Sequence, residues 1–183
     1  MTMKIIKAWT FFKNSIFKGN IANVAGGSIY NNGATVDLSI INSLFTKNIS
    51  QFGGVIYNDH NSLRLTNSTL VDNLGRYGAA IESEGNEDTT RNINNSIIWD
   101  NFSVVGNHPI ADLKEDTLVS YSLVEGSYPG VNILDIDPLF VNANNFDFRL
   151  SANSPALNRG NNDLINQYIP DLAGNPRIAN DIV

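Results

Sequence analysis

The chain has 183 residues, a formal net charge of −6 and 16% charged residues. That is the length of one domain, and no basic stripe is present to hold nucleic acid. With no cysteine, disulfides say nothing about the redox compartment, and the 28 asparagines suit a fold built from many tight turns.

The first apolar run, Ile5 to Phe12, is interrupted by Lys7. It is too short for a membrane span and lacks a cleavage-type ending, so neither a span nor a signal peptide is read there. Two readings stay open at this point: a cytoplasmic protein, or an internal piece of a longer exported chain.

From Asn14 onward the chain repeats itself. Asn14-Ser15-Ile16-Phe17-Lys18-Gly19-Asn20 returns as Asn42-Ser43-Leu44-Phe45-Thr46-Lys47-Asn48, then as Asn67-Ser68-Thr69-Leu70-Val71-Asp72-Asn73, then as Asn95-Ser96-Ile97-Ile98-Trp99-Asp100-Asn101. A degenerate copy runs from Tyr121 to Gly126. A second box moves in step: Gly26-Gly27-Ser28-Ile29-Tyr30-Asn31, Gly53-Gly54-Val55-Ile56-Tyr57-Asn58 and Gly78-Ala79-Ala80-Ile81-Glu82-Ser83. Between the boxes lie short apolar–polar alternations such as Leu38-Ser39-Ile40 and Leu63-Arg64-Leu65, which read as strands. No stretch combines helix periodicity with caps. Repeats of this kind predict an all-β parallel β-helix with coils of about 25–28 residues and two to three strands each, stacked about 4.8 Å apart.

Stacking assigns columns. Phe17, Phe45, Leu70 and Ile98 are predicted to point inward, with Ser15, Ser43, Ser68 and Ser96 filling a narrow interior at the same parity. Ile29, Ile56 and Ile81 form a second inward ladder, and Gly27, Gly54 and Ala79 leave room for packing. Asn20, Asn48, Asn73 and Asn101 are predicted to form a corner ladder of mutually bonded amides. Coils are assigned to 1–134, with an irregular loop near 104–117, and 135–183 is read as an incomplete C-terminal coil or cap of the same domain.

From Asp135 the character changes. Asp135-Ile136-Asp137-Pro138-Leu139-Phe140-Val141-Asn142 leads to Phe146-Asp147-Phe148-Arg149-Leu150, then Ser154-Pro155-Ala156-Leu157-Asn158, then Asp171-Leu172-Ala173-Gly174-Asn175-Pro176-Arg177-Ile178. This order resembles the ending of bacterial β-helix surface proteins, the choice-of-anchor Q domain group found in Bacteroidetes. The Gly-Gly boxes resemble repeats of that group and of polymorphic outer-membrane proteins. The resemblance implies a right-handed β-helix, export, surface attachment and further segments beyond both ends. It implies no catalytic residue. Uncapped solenoid ends are open edges, so end-to-end self-association is also expected.

Candidate chemistry follows from the columns. Asp72 and Asp100 stand in one column a coil apart, within reach of the carboxylate separation of a retaining glycoside hydrolase, with Lys47 one coil further. The competing reading is ordinary turn chemistry. Tyr30, Tyr57 and Glu82 are predicted to face outward on one sheet, and Trp99 outward in a column with Lys18, Thr46 and Val71. Such a surface suits a sugar chain, aromatic faces against C–H faces and polar groups against hydroxyls; its competitor is an aromatic ladder that only stabilises the sheet. Asp135, Asp137, Asn142, Asn144 and Asp147 offer oxygen ligands for calcium without EF-hand spacing. His60 and His108 follow no ligand spacing and read as loop residues. No nucleophile elbow or phosphate loop is present. The leading expectation is an exported, non-catalytic surface module that binds glycans or mediates adhesion. A polysaccharide hydrolase or lyase and a ligand-free spacer are the alternatives.

Overall fold

A computed structural model describes residues 8–32, 36–84, 89–106, 109–112, 117–164 and 170–177. It is an all-β chain whose parallel sheets stack as a β-solenoid of about four turns. Each coil contributes to four faces rather than two or three. Face A holds Ala8–Lys13, Val36–Ile41, Leu63–Thr66, Arg91–Asn94, Thr117–Ser120 and Gly130–Val131. Face B holds Ile16–Lys18, Leu44–Thr46, Thr69–Val71, Ile97–Trp99 and Leu123–Val124. Face C holds Ile49–Phe52, Leu74–Tyr77 and Phe102–Ser103, extended by the single bridges Ile21–Ile49 and Ala25–Phe52. Face D holds Ile29–Asn32, Ile56–Asp59, Ile81–Glu84 and Ile110–Asp112.

Four short faces are possible because three of the four corners are made by single left-handed residues. Between A and B these are Asn14, Asn42, Asn67, Asn95 and Tyr121, with φ from 50° to 54°. Between B and C they are Gly19, Lys47, Asp72, Asp100 and Gly126; between C and D, Gly26, Gly53, Gly78 and Gly106. Asn, Asp and Gly tolerate this backbone region, where a β-carbon otherwise costs about 1–2 kcal/mol. The residue after the C–D corner has a second constraint: a β-carbon on Gly54 would stand 2.0 Å from Ala79 O of the next coil. The box glycines are there for backbone approach as well as for the turn.

The predicted inward columns are in register. Phe17 pairs with Phe45, Phe45 with Leu70 and Leu70 with Ile98. The last three are fully buried, and Phe17, in the first coil, is half-buried and stacked on Phe45 at 4.7 Å. Ile29, Ile56 and Ile81 line face D, while Leu38, Ile40, Leu63, Leu65, Ile93 and Val119 line face A. Face C turns only small groups inward, Ser50, Gly75 and Ser103, so the core narrows there.

Two polar ladders run through this core. Asn20, Asn48 and Asn73 each donate Nδ2 to the Oδ1 of the next rung, at 2.9, 2.9 and 2.8 Å, and their backbone N–H groups bond the same oxygens. Asn48 and Asn73 are buried, so the ladder faces inward. The serine column forms the other: the N–H of Ser43, Ser68 and Ser96 donates to the hydroxyl of the next serine at 3.1 to 3.2 Å.

Coil length varies mainly at the corner between D and A. Leu44 pairs with Thr69 and Ile56 with Ile81, 25 apart, while Leu63 pairs with Arg91, 28 apart. Within the expected irregular loop, Ile110–Asp112 is a strand in register with Ile81–Ser83. The solenoid closes when Gly130–Val131 pairs with Val119–Ser120 after a short loop, and Tyr128 and Ile133 pack on the end of the core. The chain then folds back over face B. An antiparallel hairpin, Phe140–Asn142 with Asp147–Leu150, brings Phe146 beneath Lys18, whose Nζ lies 3.3 Å from the ring centroid. Asn95 exchanges two hydrogen bonds with the Asn161 backbone, and Asn42 Nδ2 donates to Pro170 O at 2.7 Å. No helix among the described residues is long and apolar enough to cross a membrane.

Truncating Phe45 to Ala is expected to cost about 3–5 kcal/mol of unfolding free energy. Asn73→Leu should also destabilise, by at least about 2 kcal/mol despite its added apolar surface, because the buried N–H and amide of Asn48 lose their acceptor. Urea midpoints at constant slope measure both.

Candidate functional site

Asp72 and Asp100 occupy the left-handed B–C corner, with φ of 56° and 53°. Both are exposed. Asp72 Oδ2 lies 3.8 Å from Lys47 Nζ, with both side chains about half exposed, an ion pair of little energetic weight. Asp100 N donates to Glu125 Oε2 at 2.6 Å. The backbone conformation explains the aspartates, and neither lines the two clefts described below. The cations that a lyase would gather are dispersed. Arg64 lies over Trp9 at 4.4 Å, Arg76 over Tyr77 at 5.5 Å, Lys47 at Asp72, and Arg91 is buried inside the solenoid, donating to Thr89.

The outer surface of face D carries the aromatic site. Tyr30 pairs in register with Tyr57, and Tyr57 with Glu82. The two tyrosine rings stack at 5.5 Å and 17°, and Tyr30 remains 56% exposed. Phe52, across the C–D corner, meets Tyr57 edge-on at 6.3 Å and stacks on Tyr77 at 5.3 Å. Val24, Ala25, Tyr30, Phe52, Tyr57 and Glu84 line a cleft of about 430 Å³ here. Glu82 has the outward register but only 6% exposure, and its carboxylate accepts from Gly53 N at 3.2 Å. The carboxylate that reaches the cleft is Glu84, bonded by Tyr57 Oη at 2.8 Å. Burial, then the hydrogen bond to Glu84, pushes the Tyr57 phenol well above its ordinary value, so it stays a donor. Trp99 is half-buried on face B and does not join this surface.

A second cleft, about 600 Å³, lies between face B and the returning C-terminal segment, with Leu44, Thr69, Ile97, Phe148, Leu157 and Leu172 in its walls. The Asp171 carboxylate accepts from Ala173 N and Asn175 N at 2.9 and 2.8 Å, closing a turn through Gly174. Of the residues considered for calcium, Asp135 accepts from Gly126 N, Asp137 from Leu139 N, and Asp147 pairs with Arg149 through two bonds of 2.7 and 2.6 Å. The guanidinium holds the Asp147 carboxyl below its usual range. Asn142 and Asn144 are exposed.

His60 is the left-handed residue of a D–A corner, φ 56°, and its Nδ1 contacts Asp59 Oδ1. With Glu84 these residues form a group whose ligand atoms all lie within 4.8 Å of one another. Sequence spacing missed it because Glu84 stands one coil away, in register with Asp59. The repeat period supplies that neighbour; reading histidines alone does not. His108 lies outside the described residues. Comparison with protein-family models, with curated proteins and with solved structures finds no match to the chain.

Asp72→Asn and Asp100→Asn are expected to leave stability within about 0.5 kcal/mol, since asparagine suits the same corner, whereas Asp72→Ala should lose about 1–2 kcal/mol. Thermal and urea unfolding check this. Burial raises the Glu82 carboxyl above its ordinary value, against the opposing hydrogen bond from Gly53. The folded state therefore holds that proton more tightly than the unfolded chain. Its contribution is full below the unfolded value and is lost as pH rises through the folded one. Glu82→Gln is expected to raise the melting temperature at neutral pH, with the gain shrinking as pH falls to about 4.

Proposed function

We propose that the protein is an exported surface module that binds glycan chains at the aromatic cleft of face D without cleaving them. The observation that carries this reading is the stacked Tyr30–Tyr57 pair, with one ring open to solvent, set in a cleft ended by a carboxylate. A sugar can lay its C–H face on the free face of Tyr30. Its hydroxyls then meet Glu84 and the side chain of Asn32, which donates to Tyr30 Oη at 2.7 Å. The aromatics are costly to expose unless they have a partner, and four of them converge across one corner. Surface location and the choice-of-anchor Q type of β-helix protein are supported by the resemblance of the 135–178 run and the Gly-Gly boxes. The parallel β-solenoid itself agrees with that resemblance.

The hydrolase reading rests on Asp72 and Asp100 alone. Their exposure and corner conformation support a turn role, and the dispersed cations give no support to a lyase.

Retention on a panel of insoluble polysaccharides tests the proposal. The parent is expected to be retained by at least one polymer, and the Tyr30→Ala/Tyr57→Ala double variant to pass through, with its melting temperature within a few degrees. Retention by no polymer, or undiminished retention of the double variant, overturns it. Each retained polymer is also assayed for released sugar; release that is lost in Asp72→Asn or Asp100→Asn would establish the enzyme instead.

A further inference from the structure

The corner between faces D and A brings together side chains that a regular strand would keep apart. Asp59 is the last residue of its face D strand and points outward with Tyr57. In a continuing strand the next side chain would point to the opposite side. His60 instead adopts the left-handed conformation, φ 56°, and its imidazole turns back so that Nδ1 meets Asp59 Oδ1. One coil on, Glu84 pairs in register with Asp59, and the two backbones are tied by His60 N donating to Glu84 O at 2.7 Å. One imidazole nitrogen and two carboxylate oxygens thus converge, all within 4.8 Å of one another.

The supporting contacts suit ligation. Tyr57 Oη holds Glu84 Oε1 at 2.8 Å, fixing the carboxylate. Asn61 Nδ2 donates to Asp59 O at 2.8 Å and pins the turn. Neighbours that orient a ligand in this way raise metal affinity. Asp59 is half-buried and His60 exposed, so an ion has both a dry side and an entry path.

We infer that Asp59, His60 and Glu84 form a binding site for one first-row divalent cation of the zinc class. The mixed nitrogen and carboxylate donors select this class, because calcium and magnesium take oxygen ligands throughout. Three protein ligands leave a position open on a tetrahedral ion. Glu84 also lines the aromatic cleft, so the site adjoins the surface proposed for glycans. The site stands on its own geometry, independent of glycan binding.

The test uses the full chain, freed of metal by dialysis against a chelator, with Zn²⁺ followed by calorimetry and Co²⁺ by visible absorption. One equivalent per chain is expected, with a rise in melting temperature on adding zinc. His60→Asn keeps a residue suited to the left-handed corner, and Glu84→Gln keeps an acceptor for Tyr57. Each is expected to weaken binding about tenfold or more while leaving the metal-free circular dichroism spectrum unchanged. Uptake equal to the parent's in both variants, no uptake by the parent, or equal competition by Ca²⁺ would overturn the assignment. Glycan retention is scored separately without metal, so failure of one site is distinguishable from failure of the other.

Discussion

In a parallel solenoid, each interior strand pairs its backbone N–H and C=O groups with the coils on either side, and this forces equivalent residues into columns. The register here obeys that constraint from Ala8 against Val36 to Arg91 against Thr117. Once the backbone is locked in this way, a side chain's neighbours are its counterparts a coil away. Hydrophobic columns then bury one another without long-range design, and polar columns must solve their hydrogen bonding among themselves.

The asparagine and serine ladders are that solution. Each buried Asn amide takes a bond from the preceding rung and also reaches a backbone carbonyl, as Asn73 Nδ2 does to Phe45 O at 3.1 Å. Such a network is worthwhile only when complete, since an orphaned buried amide costs more than a made bond returns. The ladder sits where face B turns into face C, at the narrow side of the core, and there it satisfies backbone groups that the left-handed corner leaves exposed.

The faces differ in what they leave for function. Face B is covered by the returning C-terminal segment, so Thr46 and Val71 are buried in spite of their outward parity. Face D keeps its outer tyrosines accessible, and the corner beside it is where coil length changes. Chain inserted at one corner of a stacked repeat can vary without disturbing the register elsewhere. The Asp59–His60–Glu84 cluster lies at this permissive edge, and Glu84 links it to the aromatic cleft, which extends across the C–D corner.

Much of the fold was legible because the repeats carry it: the period, the inward Phe45–Leu70–Ile98 and Ile56–Ile81 columns, and the asparagine ladder follow from aligning the boxes. The number of faces did not, because a corner made by one left-handed residue leaves no loop to see, and Asp72 reads as turn or as catalytic carboxylate. The tyrosine pair was legible from parity, but the burial of Glu82 and the approach of Glu84 depend on how the C–D corner folds against the sheet. The His60 cluster was invisible because it depends on the left-handed turn of His60 at the D–A corner, beside Glu84 one coil away. By itself the sequence determined which residues stack on which, since stacking follows from repeat length and strand parity. Only the tertiary structure decided which faces stay open and which side chains cross a corner to meet, because those depend on the backbone conformation of single residues and on where the C-terminal segment comes to rest.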